Sequence, residues 1–85
     1  MAVGQWHYAE GHEEAVRIIG LHYDYWYAVA EADGQLDPDE QPQPLGDEGL
    51  LYYAHFAQIA GSGFPTVIQA KGYAQSMVRS PIRWD

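Results

Sequence analysis

The sequence contains no cysteine and no asparagine, and only four of its 85 residues are lysine or arginine. Without cysteine, the chain can form neither a disulfide framework nor a thiolate metal site. Without asparagine, it has no acceptor for N-glycosylation. Direct binding to nucleic acid or to an anionic membrane is not expected, because both depend on clustered lysine and arginine side chains.

Long apolar runs are missing as well. The longest stretch without a charged residue covers 49–70 and is interrupted by Gly61, Gly63 and Pro65. A membrane-spanning helix needs about 20 predominantly apolar residues, so no span is expected. The sequence does not open with a basic region followed by an apolar run, so no secretory signal is expected. We therefore expect a cytoplasmic protein.

What the sequence does contain is a concentrated block of negative charge. Seven carboxylates and no basic residue lie between Glu31 and Glu48, and this stretch also holds three prolines. Eleven of the twelve acidic residues precede residue 49, where Arg17 is the only cation to oppose them. A chain of this length has room for one domain. We therefore predict a single domain over 1–85, with an acidic, proline-rich loop at about 33–48.

The clearest helix signal lies near the C-terminus. Thr66 and Gln69 have the spacing of a capping box, in which a hydroxyl and an amide side chain bond the first free amides of a helix. Apolar residues then recur near the helical period, and Pro81 cannot continue a helix. The pattern predicts a helix at about 67–79.

Two aromatic segments, 21–32 and 50–60, fit either a strand or a helix. Their tyrosines, tryptophan and phenylalanine favour strands, whereas their alanines favour helices. We expect strands, and we expect 26–32 and 52–58 to pair as a hairpin across the acidic loop. A short helix at 12–19 and an edge strand at 3–8 complete this interpretation.

Together these elements predict an α+β fold, with a small antiparallel sheet of about three strands and one or two helices. Residues 61–63 would form a glycine turn between the second aromatic strand and the C-terminal helix. The alternative is a three-helix bundle, in which one long helix runs from about 12 to 32 and Gly34 ends it.

Residues 29–40 resemble the calcium-binding loop of the EF-hand family. The matching positions are the fifth, the sharp turn, the apolar eighth and the bidentate twelfth, namely Asp33, Gly34, Leu36 and Glu40. Val29 stands at the first position, where the family has a ligating aspartate. Prolines follow where the family has its exit helix. The segment supplies too few oxygen ligands for a hard cation, so no calcium site is expected.

Catalytic patterns are sparse. His7 and His12 stand near Glu10, Glu13 and Glu14, but the spacing H-E-x-x-H of zinc proteases is absent. The sequence also has no nucleophile elbow of the form G-x-S-x-G and no phosphate-binding loop. We therefore predict no enzymatic activity, no metal and no cofactor. A small metal-dependent enzyme that uses the two histidines is the least favoured alternative.

Two adjacent tyrosines follow the acidic block. The segment 50–53 resembles the paired-tyrosine segment of acidic immunity proteins, which neutralise bacterial nuclease toxins, and Ser62 and Gly63 follow at a similar distance. Where that family has a helix, this chain has three prolines. The resemblance implies that a surface of carboxylates and tyrosines can serve a small inhibitor.

The charge distribution leads to a functional prediction. We expect a non-enzymatic protein-binding module, an inhibitor or nucleic-acid mimic that engages a basic surface of another protein. Its predicted partner-binding residues are Glu31, Asp33, Asp37, Asp39, Glu40, Asp47, Glu48, Tyr52 and Tyr53. The alternative is a structural subunit that forms a homodimer through its aromatic surface.

Overall fold

The computed structural model describes residues 2–9 and 11–85, which form one antiparallel sheet of five strands and two helices. In chain order the elements are β1 (Ala2–Ala9), β2 (His12–Leu21), α1 (Tyr25–Ala32), β3 (Leu51–His55), β4 (Ile59–Phe64), α2 (Val67–Ser76) and β5 (Arg83–Trp84). The strands lie in the order β4-β3-β2-β1-β5. The fold is α+β as predicted, but it has five strands where about three were expected. The alternative of a three-helix bundle is wrong.

The strand register sorts side chains onto two faces of the sheet. Ile18 of β2 lies opposite Ala2 of β1 and Ala54 of β3, and all three are buried. The preceding residue of β2, Arg17, lies opposite Val3 and is exposed. Because successive side chains point to opposite faces, these two rows define a buried face and a second face that is open at this position.

Helix α2 covers the buried face. Its two alanines, Ala70 and Ala74, are fully buried against Val16 and Ile18 of β2 and their neighbours in β3. Thr66 caps the helix as predicted, since its side chain accepts a hydrogen bond from the Gln69 amide at 3.2 Å. The helix ends at Ser76, three residues before the predicted end.

The prediction of a helix at 12–19 is wrong, because these residues belong to β2. Val16 and Ile18 are buried while Arg17 between them is exposed, which is the alternation of a strand with one face in the core. The residues at the start of this segment, Glu13 and Glu14, favour a helix when isolated. The pairing of these two residues with His7 and Trp6 of β1 outweighs that preference.

The segment 25–32 is helical, so the predicted strand there and its hairpin with 52–58 are both wrong. Asp24 caps α1, since its Oδ1 accepts a hydrogen bond from the Tyr27 amide at 3.1 Å. The helix ends where Gly34 takes a positive φ of 68°. Strand β3 was correctly predicted as a strand, but it pairs with β2 and β4.

The predicted glycine turn at 61–63 is also wrong, because these residues lie within β4. The turn before β4 is centred on Ala57, with the Phe56 amide donating to the Gln58 carbonyl at 3.0 Å. Gly61 has a positive φ of 70°, and a Cβ atom there would stand 2.5 Å from the Tyr73 ring of α2. Only glycine fits both the backbone conformation and the space.

Strand β1 was expected at an edge of the sheet, but β5 lies outside it. Gly4 of β1 pairs with Trp84, and a Cβ atom at Gly4 would lie 2.6 Å from Ile82 and 2.7 Å from the Trp84 ring. The C-terminal residues therefore pack directly on the β1 backbone, which closes this side of the core.

Candidate protein-interaction surface

The acidic segment, defined here as residues 31–48, starts in the last turn of α1 and leads towards β3. Residues 33–50 form neither helix nor strand anywhere in this fully described stretch. All seven of its carboxylate residues are exposed, namely Glu31, Asp33, Asp37, Asp39, Glu40, Asp47 and Glu48. The structure therefore presents every predicted acidic contact residue to solvent.

Hydrogen bonds fasten the second half of the acidic segment to the body of the protein. The Gln43 amide donates to Asp24 Oδ2 and the Gln43 side chain donates to the Gly63 carbonyl, both at 2.8 Å. The Gly46 amide donates to the Leu50 carbonyl at 2.9 Å. These bonds connect the segment to α1, to β4 and to the start of β3. Its path is therefore determined by specific contacts on three sides.

The first half of the segment contains an exposed turn. A turn at 37–40 closes through the Glu40 amide, which donates to the Asp37 carbonyl at 3.0 Å. This turn brings Asp37, Asp39 and Glu40 into one exposed bend, which also contains the exposed Pro38. Three carboxylates on four successive residues form the most concentrated negative charge in the described chain.

No ion pair among the described residues involves a carboxylate of the acidic segment. Among the described residues, the ion pairs lie across the sheet, where Glu13 contacts Arg83 and lies 3.7 Å from His7. Glu31 and Asp33 stand at the C-terminal end of α1, where the helix dipole favours cations, and this last turn holds no basic residue. Their position slightly destabilises the helix, so helix stability does not explain their presence.

The structure places the two tyrosines that were predicted as partner contacts inside the protein. Tyr52 is 5% exposed and Tyr53 is fully buried, so neither ring is open to a partner. Tyr52 lies in the core under α2, whereas Tyr53 points to the opposite face, because neighbouring residues of a strand alternate. Both positions were judged from residue type alone, and burial depends on what packs over the strand.

Both tyrosine hydroxyls nevertheless connect the acidic half of the protein to the sheet. The Tyr52 hydroxyl donates to Glu48 at 2.8 Å, and this hydrogen bond, together with burial, raises the pKa of Tyr52. The Tyr53 hydroxyl accepts from the Tyr25 amide at 2.9 Å. Burial raises the pKa of Tyr53, the negative charge of Asp24 adds to this, and the hydrogen bond from Tyr25 opposes it.

A cavity of about 380 Å³ lies between α1 and the acidic segment. One wall is formed by Tyr27 and Glu31 of α1, and Tyr23 closes one end. The other wall includes Pro42 and Leu45. This cavity combines aromatic rings, an apolar wall and carboxylates, and we name it the α1 cavity.

Asp24 makes the α1 cavity possible, and sequence reasoning did not identify it as functional. One carboxylate oxygen caps α1 through Tyr27, and the other accepts the Gln43 amide, so a single side chain fixes both walls. Aspartate is a preferred N-cap residue, so its position before an alanine-rich stretch was an available signal. Its second bond joins residues 19 positions apart, and no local pattern reveals it.

A second cavity, of about 390 Å³, lies near the C-terminal end of α2. It is lined by Trp6, Phe56, Met77 and Val78 together with the turn at Ala57, and no charged residue is among its lining residues. Ala57 has a φ of 111°, a backbone conformation that residues other than glycine rarely adopt. This cavity offers apolar contact but no chemistry for proton transfer.

Among the described residues, neither the histidines nor the segment that resembles a calcium loop forms a cluster of metal ligands. His7 lies opposite Glu13 in the β1–β2 pair, His12 is exposed, and Glu10 lies outside the described residues. The first four positions of the EF-hand register, 29–32, belong to α1 and are helical. Among the described residues, no three histidine or carboxylate side chains converge on a point that would suit a metal ion.

A comparison of the chain with models of protein families, with curated proteins and with solved structures gives no match. Within the described residues, neither helix is long and apolar enough to cross a bilayer.

Proposed function

We propose that this chain is a non-enzymatic protein-binding module whose acidic segment engages a basic surface of a partner protein, as an inhibitor or a nucleic-acid mimic. The observation that carries the proposal is the state of the seven carboxylates of the acidic segment. They are exposed, no ion pair of the described chain uses them, and hydrogen bonds at Gln43 hold the second half of the segment that presents them.

Attachment of the segment matters for affinity. A disordered acidic tail loses conformational freedom when it binds, whereas a segment already fixed by Gln43 and Gly46 loses less. The partner surface complementary to such a segment carries clustered lysine and arginine, which is also the composition of surfaces that bind nucleic-acid phosphates. A protein that occupies that surface would compete with nucleic acid.

The competition gives a direct test with a candidate partner, a basic nucleic-acid-binding protein captured from the native host. We expect binding to weaken as salt rises, because screening shortens the range of the attraction. We also expect added nucleic acid to displace the chain. A partner whose binding is unchanged by salt and by nucleic acid would contradict the electrostatic mechanism.

A pair of matched variants locates the contact. Asp37→Asn with Asp39→Asn neutralises two carboxylates of the exposed bend, and Glu14→Gln with Asp85→Asn neutralises two exposed carboxylates elsewhere. Both pairs change the net charge equally. We expect the first pair to weaken partner binding by about tenfold and the second to change it by less than about twofold, measured by titration calorimetry. Equal losses would mean that only net charge matters.

Self-association through the sheet is a second candidate, and the open part of its second face favours it. Val3, Gln5, Ala15 and Arg17 are all exposed on that face, and Val3 is 40% exposed. The face is basic at Arg17, whereas the acidic segment adjoins β3 and β4. A twofold arrangement would therefore place the acidic segment of each copy against the open face of the other.

Sedimentation equilibrium tests this second candidate. We expect a dimer that dissociates at high salt and in the variant Arg17→Glu, which reverses the charge of the open face. Arg79→Glu, at an exposed arginine outside the strands, is the matched control and should leave the dimer intact. A wild-type chain that sediments as a monomer at every concentration would remove this candidate.

A further inference from the structure

The α1 cavity differs from the rest of the acidic surface because aromatic and apolar side chains line it together with carboxylates. One face of α1 and its N-cap line the cavity. The residues on this face recur at helical spacing and are Asp24, Tyr27 and Glu31. Across from them stand Pro42 and Leu45 of the acidic segment. A side chain that entered here would contact rings and carboxylates at the same time.

The rings of this cavity are held in position. The Tyr23 ring meets the His22 ring edge-on, with ring centres 5.5 Å apart. Tyr27 is half-buried in α1, whose start is fixed by the Asp24 cap. Tyr23 remains 43% exposed, so part of its surface is available to an incoming group.

The charge of the cavity selects a cation. Asp24 and Glu31 are its carboxylates, and neither lysine nor arginine is among its lining residues. Tyrosine rings attract cations through their faces. Glu31 is exposed at the rim and can accept further hydrogen bonds. An apolar wall at Pro42 and Leu45 suits the methylene part of a long side chain.

We propose, building on the function proposed above, that the α1 cavity receives an arginine side chain of the basic partner. Arginine fits this lining better than lysine, because its flat guanidinium stacks on aromatic rings, donates in a fork to carboxylates and is less strongly hydrated. The acidic segment supplies long-range attraction, and the cavity adds a specific anchoring point.

The test uses the full 85-residue chain, labelled with nitrogen-15, and short peptides as probes. Acetyl-Gly-Arg-Gly-amide is compared with the same peptide containing citrulline, which has nearly the same shape without charge, and with the lysine peptide. We expect the arginine peptide to shift amide signals of 22–31 and of Gln43 and Leu45. We expect about tenfold weaker binding of the citrulline peptide and weaker binding of the lysine peptide.

Variants then separate the cavity from general electrostatics. Tyr23→Leu with Glu31→Gln removes one ring face and the rim charge at exposed positions, and we expect about tenfold weaker binding of the arginine peptide. Tyr23→Leu with Asp37→Asn, which keeps Glu31 and removes a carboxylate outside the cavity, should cost only about threefold. Unchanged amide spectra away from the cavity confirm that the variants fold.

Several outcomes would overturn the proposal. Equal binding of the citrulline peptide would exclude a cation site, and equal binding of the lysine peptide would exclude selection of arginine. Equal losses in the two double variants would mean that charge alone acts. If the partner protein binds the Tyr23→Leu, Glu31→Gln variant as tightly as wild type, the cavity fails while the acidic segment stands. If neutralising Asp37 and Asp39 also has no effect, both proposals fail.

Discussion

The two helices of this protein are attached to the sheet in different ways. Helix α2 buries Ala70 and Ala74 completely in the core, whereas α1 buries none of its residues. Helix α1 is held instead by individual polar contacts, such as the bond from the Tyr25 amide to the Tyr53 hydroxyl at 2.9 Å and the bond from the Trp26 indole to the Gly61 carbonyl at 2.6 Å.

This difference separates a helix that belongs to the core from a helix that is attached at the surface. Burial of apolar area gives α2 most of its stabilisation, so its stability is coupled to that of the sheet. Helix α1 and the acidic segment depend on a few hydrogen bonds, each worth about 1 kcal/mol. We therefore expect α1 to open locally at a lower free energy than α2.

The largest expected effect lies under α2. Ile18 is fully buried in the core, so Ile18→Ala should reduce the free energy of unfolding by about 2–5 kcal/mol, through lost burial and the cavity left behind. Ile68→Ala, at a side chain that is 81% exposed, is the control and should change stability by less than about 0.5 kcal/mol. Denaturant unfolding measures both. Similar losses would contradict the placement of the core.

The two helix caps provide the most direct comparison. Thr66→Ala and Asp24→Ala each remove a cap, at an expected cost of about 1–2 kcal/mol. For Thr66 we expect the loss in global stability, because α2 belongs to the core. For Asp24 we expect it in α1 and at Gln43 alone, seen as faster amide hydrogen exchange there. Unchanged global stability in Thr66→Ala, or unchanged amide exchange of α1 in Asp24→Ala, would refute this division.

A smaller effect is expected at Tyr53. Tyr53→Phe leaves the Tyr25 amide without its acceptor, which should cost about 1 kcal/mol near the start of α1. Burial also raises the pKa of Tyr53 in the folded protein, so above pH about 10 the unfolded chain binds fewer protons than the native state. The free energy of unfolding should therefore fall as the pH rises through this range.

The variant tests this pH dependence. Denaturant unfolding at a series of alkaline pH values should show a shallower fall in stability for Tyr53→Phe than for wild type. Tyr73→Phe, in α2, serves as the control and should follow the wild type, because Tyr73 is not among the groups that shift the pKa of Tyr53. A slope that is identical in all three proteins would show that Tyr53 does not contribute.

The smallest effect on stability is expected in the exposed bend. Asp37→Asn with Asp39→Asn should change the free energy of unfolding by less than about 0.5 kcal/mol, because both side chains are exposed. The same change should weaken partner binding strongly. Destabilisation by more than about 1 kcal/mol would mean that these carboxylates support the fold and not an interface. Thermal unfolding is sufficient to measure it.

Local signals predicted those parts of the fold that depend on local interactions. The capping box at Thr66 and Gln69 involves residues three apart, and it predicted the start of α2 correctly. The strand at β3 was predicted from its aromatic residues. The segment 12–19 was predicted as a helix because it contains glutamates, but these lie in a paired strand. The segment 25–32 was predicted as a strand because it contains aromatic residues, but these lie in a helix capped by Asp24.

The candidate interaction surface, like the fold, was predicted only where it depends on local sequence. The carboxylates of the acidic segment are exposed as expected, since a run of charge broken by prolines cannot be buried. The burial of Tyr52 and Tyr53 was not predicted, because adjacent residues of a strand face opposite sides and both sides of β3 are covered. The α1 cavity could not be predicted, since it is formed by residues from two segments.

The sequence by itself determined the charge of this protein and the position of that charge. Composition, the clustering of carboxylates and the prolines are properties of the chain that no fold can alter. Tertiary structure alone decided which aromatic rings are buried and which line a cavity. It also decided that Asp24 joins α1 to the acidic segment, because that contact connects residues 19 positions apart and exists only when the sheet has brought them together.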